Sequence, residues 1–135
     1  MYEKKIISIS NLLLDEENFR IGDQQSQRDC VSAIIQEQSL KNGKNKIFNL
    51  AKSIATEGLS PIEPIVVIPD YEISGTYIVK EGNRRIAALK ILYNPNLINE
   101  PVVRKLFENL SNSKNICFDI ECNLIGLGSL NTYFL

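Results

Sequence analysis

The segment Tyr77–Lys90, reading YIVKEGNRRIAALK, concentrates the side chains best suited to chemistry in this chain. A short β-favouring run leads into Gly82, and two adjacent arginines follow where the pattern places the first turn of a helix. The backbone N–H groups of a helix start have no intrahelical acceptor and sit at the positive end of the macrodipole. Such a start binds anions. Gly82 permits a positive φ or a close backbone approach, while Arg84 and Arg85 offer planar, bidentate donors for phosphate. Cations in a first helical turn cost about 0.3–1 kcal/mol each, so two of them suggest that the turn is built to hold an anion. The plain alternative is that they pair with nearby acids such as Glu57 or Glu81. Lys80, Arg84, Arg85 and Lys90 against Glu81 give this stretch a local charge of +3, which leaves −4 for the rest of the chain. Glu81 is the carboxylate beside this cradle. It is the candidate catalytic base, or a metal ligand through water, unless it merely neutralises Lys80 or Arg84.

Composition narrows the chemistry. The chain contains no histidine, which excludes Ser-His-Asp and Cys-His catalysis and His-ligated metals. The 3 cysteines, Cys30, Cys117 and Cys122, are too few and odd in number for a disulfide framework. Cys117 and Cys122 lie an odd number of residues apart, which on a strand puts them on opposite faces and not in a chelate. Cys30 and at least one of the other two are expected in the core. With 15 basic and 16 acidic residues the net charge is −1, so no global field draws the chain to DNA or an anionic membrane. No wholly apolar run exceeds 4 residues, too short to cross a bilayer. With no signal-peptide pattern at the start, the expected location is the cytoplasm. At 135 residues the length suits one domain that needs no disulfide or metal staple.

The elements that must position this segment follow from periodicity. Lys5–Leu14 reads as a first strand and its turn, and Asp15–Gln27 as a loop. Ser26-Gln27-Arg28-Asp29 has the form of a helix start, leading to Cys30, Val31, Ile34 and Ile35. The polar stretch Lys41–Lys46 is a break. Ile47, Leu50, Ala51 and Ile54 are then spaced as one helical stripe, with Gly58 as the expected C′ residue. Ile65–Ile68 and Tyr77–Glu81 read as strands. Arg84–Tyr93 reads as a helix with Asn83 as its N-cap, ended by Asn94-Pro95. Pro101 starts another helix, with Val102, Val103, Leu106, Phe107 and Leu110 on its apolar face. Ile116–Cys122 alternates as a strand, and the tail Asn123–Leu135 shows no period. The expected fold is α+β, a small mixed β-sheet packed with helices, in a single domain over 1–135 with its core at about 5–122.

EGNRRIAALK after the YIV strand resembles the second signature box of the ParB/sulfiredoxin superfamily, whose ParB form is G-E-R-R followed by a small-residue helix. Leu50-Ala51-Lys52-Ser53-Ile54-Ala55-Thr56-Glu57-Gly58-Leu59, leading to Pro64-Ile65-Val66-Val67, resembles the first ParB box. Asn18-Phe19-Arg20 falls where the family has an Asn/Pro…Arg element. The order agrees over roughly Lys5–Cys122. The resemblance implies a ParB/sulfiredoxin-like fold with a nucleotide pocket between the two boxes. Carried over, Gly82, Asn83, Arg84 and Arg85 would cradle the phosphates of CTP or ATP. Gly58, Leu59 and Pro61 would lie near the base, and Asn18 and Arg20 would line the same cleft.

This sequence departs from the family in places. The glutamate of G-E-R-R is Asn83, a poorer Mg²⁺ ligand. The sulfiredoxin cysteine and histidine fall at Asn83 and Arg84, which argues against that activity. A third phosphate motif is incomplete, because Glu108-Asn109 is followed by Asn112. The favoured expectation is a ParB-like nucleotide-binding domain, with or without Mg²⁺, acting as a bacterial switch or DNA-associated module in mobile-element biology. Alternatives are a metal-dependent nuclease or ATP-dependent small-molecule kinase of the superfamily, or a DNA-binding domain using Arg84, Arg85 and Lys90 without nucleotide. The expected partners are a nucleotide, DNA and, through a sheet edge, a second copy of the chain.

Overall fold

Strand and helix pairing place the 77–90 segment at the middle of the molecule. The computed structural model describes residues 2–16, 27, 30–32, 46–113 and 115–126. The elements are β1 (Tyr2–Ser8), a 3-10 turn (Ile9–Asn11), β2 (Leu12–Leu13), α1 (Lys46–Glu57), β3 (Val66–Pro69), β4 (Tyr77–Glu81), α2 (Asn83–Tyr93), a 3-10 turn (Pro95–Leu97), α3 (Pro101–Leu110) and β5 (Asp119–Ile125). Gln27 and 30–32 are also helical. The five strands form one sheet in the order β1-β5-β3-β4-β2. β1 with β5 and β3 with β4 are antiparallel, whereas β3 with β5 and β2 with β4 are parallel. The α+β class and mixed sheet expected from the sequence are what the chain adopts.

One contiguous cluster of buried residues joins the sheet to the helices. α2 is its centre: Ile86, Ala87, Ala88, Leu89, Ile91 and Leu92 are all buried. The alanines let α2 approach α1, whose Ile47, Ala51, Ile54 and Ala55 are buried in turn. A helix covered on most sides needs no single apolar stripe, which is why its pattern in sequence is weak. Gly58 ends α1 at φ +79° with its N–H donating to the Ile54 carbonyl at 2.7 Å, as expected of a C′ glycine. α3 starts at Pro101 with the Glu100 carboxylate accepting from the Val102 and Val103 N–H groups. Its expected apolar face is only partly used. Phe107 is buried edge-on against Phe48, at 5.3 Å between ring centroids, while Val102 and Leu106 stay 69% and 45% exposed. α3 packs at the periphery, where α1, α2 and the Pro95–Leu97 turn cover one side of it and leave the other open.

Two boundaries move. The last strand begins at Asp119, not Ile116, and runs on through Asn123–Ile125. The expected tail therefore starts inside the sheet, because the ladder with β1 pairs Tyr2 with Ile125 and Ser8 with Asp119. β1 likewise begins before the expected core limit. Ser26, Ile34, Ile35, Lys41–Asn45 and 127–135 lie outside the described residues.

Cys30 and Cys122 are buried and Cys117 is exposed. Burial first, and the adjacent Glu121 second, push the Cys122 thiol up to about 11. A disulfide-exchange reagent at pH 8 is therefore expected to titrate one thiol rapidly in the native protein. Cys117→Ser should abolish that fast phase, and denaturant should release the other two.

Candidate functional site

The start of α2 is held by three separate devices. Gly82 is the N-cap, in the left-handed region at φ +96°, where side chains other than glycine are strained. A Cβ there would collide with Ile65 Cδ1 and press on Arg85 Nη2, so the glycine is demanded by packing as well as by the turn. The first intrahelical bond runs from the Ile86 N–H to the Gly82 carbonyl at 3.0 Å. The N–H groups of Asn83, Arg84 and Arg85 thus precede the helical ladder.

Asn83 does not cap the helix as expected. Its side chain is buried and turns back. Oδ1 accepts from the Asp15 N–H at 2.9 Å, and Nδ2 donates to the Val79 carbonyl at 3.0 Å. One amide satisfies a donor and an acceptor at once, which a carboxylate cannot do. Asp15 is fixed again by Lys80, whose Nζ lies 3.0 Å from Oδ2, both side chains being largely covered. Gln27 pins the preceding residue through both its amide atoms, to the Leu14 N–H and the Leu14 carbonyl.

Arg85 is the third device. Nη1 donates to the Glu63 carbonyl at 2.7 Å and Nη2 to the Pro64 carbonyl at 3.1 Å. Nε lies 3.6 Å from Glu63 Oε2. The acid beside Arg85 is therefore Glu63, not Glu57 or Glu81. Lys90 also turns inward, donating to the Ile9 carbonyl at 3.2 Å. Of the four cations in this stretch, Arg84 is the exposed one. Glu81 is exposed at the end of β4, opposite Val66 across the ladder. Lys80 is neutralised by Asp15 and not by Glu81.

Arg85 also lines a cleft of about 240 Å³ with Leu59, Pro61, Ile65, Lys4 and Asn123. It lies between the two stretches singled out in the sequence. The cleft gathers Leu59, Pro61 and Arg85 from the expected set. Gly82 is not among its lining residues, though a side chain there would meet Ile65 and Arg85, which are; Gly58 caps α1 and Asn83 faces Asp15. Asn18 and Arg20 lie outside the described residues. Lys4 and Asn123 were not visible in the sequence. They face one another across the β1–β5 ladder, and nothing in local spacing marks a register set by residues so distant. Lys4 also pairs with Glu121 at 3.2 Å on the rim. Among the described residues, no group of three or more His, Cys, Asp or Glu could hold a metal ion, and no helix is long and apolar enough to cross a membrane.

No protein-family description and no curated protein matches this chain. Among solved structures, one similar chain is the C-terminally truncated chromosome-partitioning protein ParB from Caulobacter crescentus, complexed with CTP-gamma-S. The two are 14% identical with a TM-score of 0.44, over 91% of this chain. This chain spans 43% of that protein's length. At that score the match is a partial one.

Two substitutions test the helix start. Gly82→Ala is expected to cost about 3 kcal/mol, from the left-handed backbone and the collision with Ile65 together. Asn83→Asp puts a buried carboxylate against the Val79 carbonyl and should cost about 2 kcal/mol at neutral pH. Once protonated, the introduced carboxyl can donate again, so the deficit relative to wild type should shrink as pH falls through that group's pKa. Urea unfolding across pH reads both.

Proposed function

We propose that this chain is a ParB-like nucleotide-binding domain that holds the phosphates of a nucleoside triphosphate, CTP or ATP, at the start of α2. The observation that carries this reading is the meeting of the two signature-like stretches at Arg85, whose guanidinium spans from α2 to the 63–64 carbonyls beside an open cleft. The first-turn N–H groups and the Arg84 side chain supply donors for phosphate, and Leu59 and Pro61 offer apolar surface to a base. Asn83 acts by holding the helix start in place. Gly82 acts by letting Ile65 and Arg85 come close. In this reading Glu81 has no catalytic role assigned to it, and the domain works as a switch.

The residues at the helix start suit anions better than a bare cation. Mg²⁺ would be carried on the nucleotide's own phosphates and water, as is usual for that ion. Arg85 would exchange its Glu63 partner for phosphate, a stronger charge-assisted acceptor. Binding would thereby loosen the 60–64 turn, which is the physical basis for a switch.

Thermal unfolding against CTP, ATP, GTP and UTP, with and without Mg²⁺, tests this. A nucleotide at about 100 times its Kd adds roughly 2.7 kcal/mol, which raises Tm by several degrees in a domain of this size. Arg84→Ala should abolish the shift. Arg85→Ala should lose both the shift and stability. Glu63→Gln, which removes the competing carboxylate, should tighten binding about two- to fivefold. If no nucleotide moves Tm at millimolar concentration, the reading is wrong.

A further inference from the structure

A second cleft, on the far side of α2 from Arg85, contains an amine that the nucleotide reading does not use. Lys90 lies on α2 between the buried residues Leu89 and Ile91. Its Nζ reaches the Ile9 carbonyl in the turn after β1, at 3.2 Å. The same amine lines a cleft of about 230 Å³ with Ile9, Val31, Leu97 and Tyr93, and with the polar Ser10, Gln27 and Asn94. The Tyr93 ring is fixed edge-on to Phe118, 5.1 Å between centroids. Among the described residues, no carboxylate lines this cleft to hold an ammonium, and Tyr93 is the other titratable group there.

A half-buried lysine bonded to a carbonyl, with no carboxylate among the described residues of its cleft, is poorly solvated as a cation. Burial lowers it from 10.5 to about 8, so about a tenth is neutral amine at pH 7, far more than for an exposed lysine. A neutral amine that gives one hydrogen to Ile9 keeps a lone pair for whatever enters the cleft. Desolvated lysines of this kind are nucleophiles toward carbonyl carbon. The exposed Ser10 also lines the cleft and brings a hydroxyl to it.

We propose that this cleft takes a small carbonyl compound, an aldehyde or ketone, as a reversible imine on Lys90 Nζ. The Nζ lone pair attacks the carbonyl carbon and the C–N bond forms. The carbonyl C–O bond then breaks, and its oxygen leaves as water with both protons of the neutral amine. No electron acceptor is needed, and hydrolysis reverses the step.

The test uses the intact chain with limiting acetaldehyde, trapped by sodium cyanoborohydride and read by peptide mass mapping. At pH 7, Lys90 should be labelled about tenfold faster than the exposed Lys4, Lys5, Lys52 and Lys105, because far more of it is unprotonated. Its rate should climb as pH rises to about 8 and level off above, where those of the exposed lysines continue to climb. In urea the preference should vanish. Labelling of Lys90 no faster than the exposed lysines, or a preference that survives in urea, would overturn the proposal. None of these readouts involves nucleotide, so failure here leaves the Arg85 cleft untouched.

Discussion

The position of α2 depends on one buried amide. Asn83 bonds to both the chain just after β2 and Val79 in the middle of β4, so it welds two neighbouring strands to the helix that follows. Buried polar groups cost stability when unpaired and confer specificity when satisfied. Here the bonding pattern admits an amide and not a carboxylate of the same size. At this position the protein needs a donor as well as an acceptor. Lys80 and Asp15 reinforce the weld with a mostly covered ion pair, whose value lies in geometry more than in net energy.

Arg85 performs the complementary task on the other flank. By gripping two carbonyls and a carboxylate of the 63–64 turn, it sets the width of the cleft beside β5. A guanidinium suits this because its donors are planar and fixed in direction. The same side chain is thus a structural clamp and, in the proposed function, the group that would meet phosphate. Under that proposal, the shape of the 63–64 turn would be tied to the occupancy of the cleft.

Local chemistry made much of this readable. β4, α2 and the ends of α1 and α3 follow from β-favouring runs, a glycine, a proline and helical spacing, and they appear where expected. Contacts that join distant residues were not readable. Asn83 looks like a cap until Asp15, far off in sequence, is known to lie beside it. Lys90 looks like a surface cation on a charged stretch until the turn after β1 is seen to supply its acceptor. β5 looks short because Asn123 is a poor strand former, and the ladders with β1 and β3 on either side carry it on through Asn123 and Leu124. Lys4 and Asn123 enter the cleft for the same reason.

That ladder also governs the order of assembly. Lys4 and Glu121, which touch across it, are 117 positions apart, and among the described residues β1 has no other strand partner. During synthesis β1 leaves the ribosome early and must wait for β5, a delay of roughly ten seconds at ordinary elongation rates. Closing so long a loop is entropically late, so β2, β3, β4 and the helices can collapse first around α2. Ile6 and Ile7 remain without their strand partner during that interval. The two adjacent lysines, Lys4 and Lys5, then have a use apart from the finished structure: they keep a waiting strand from pairing with the wrong neighbour.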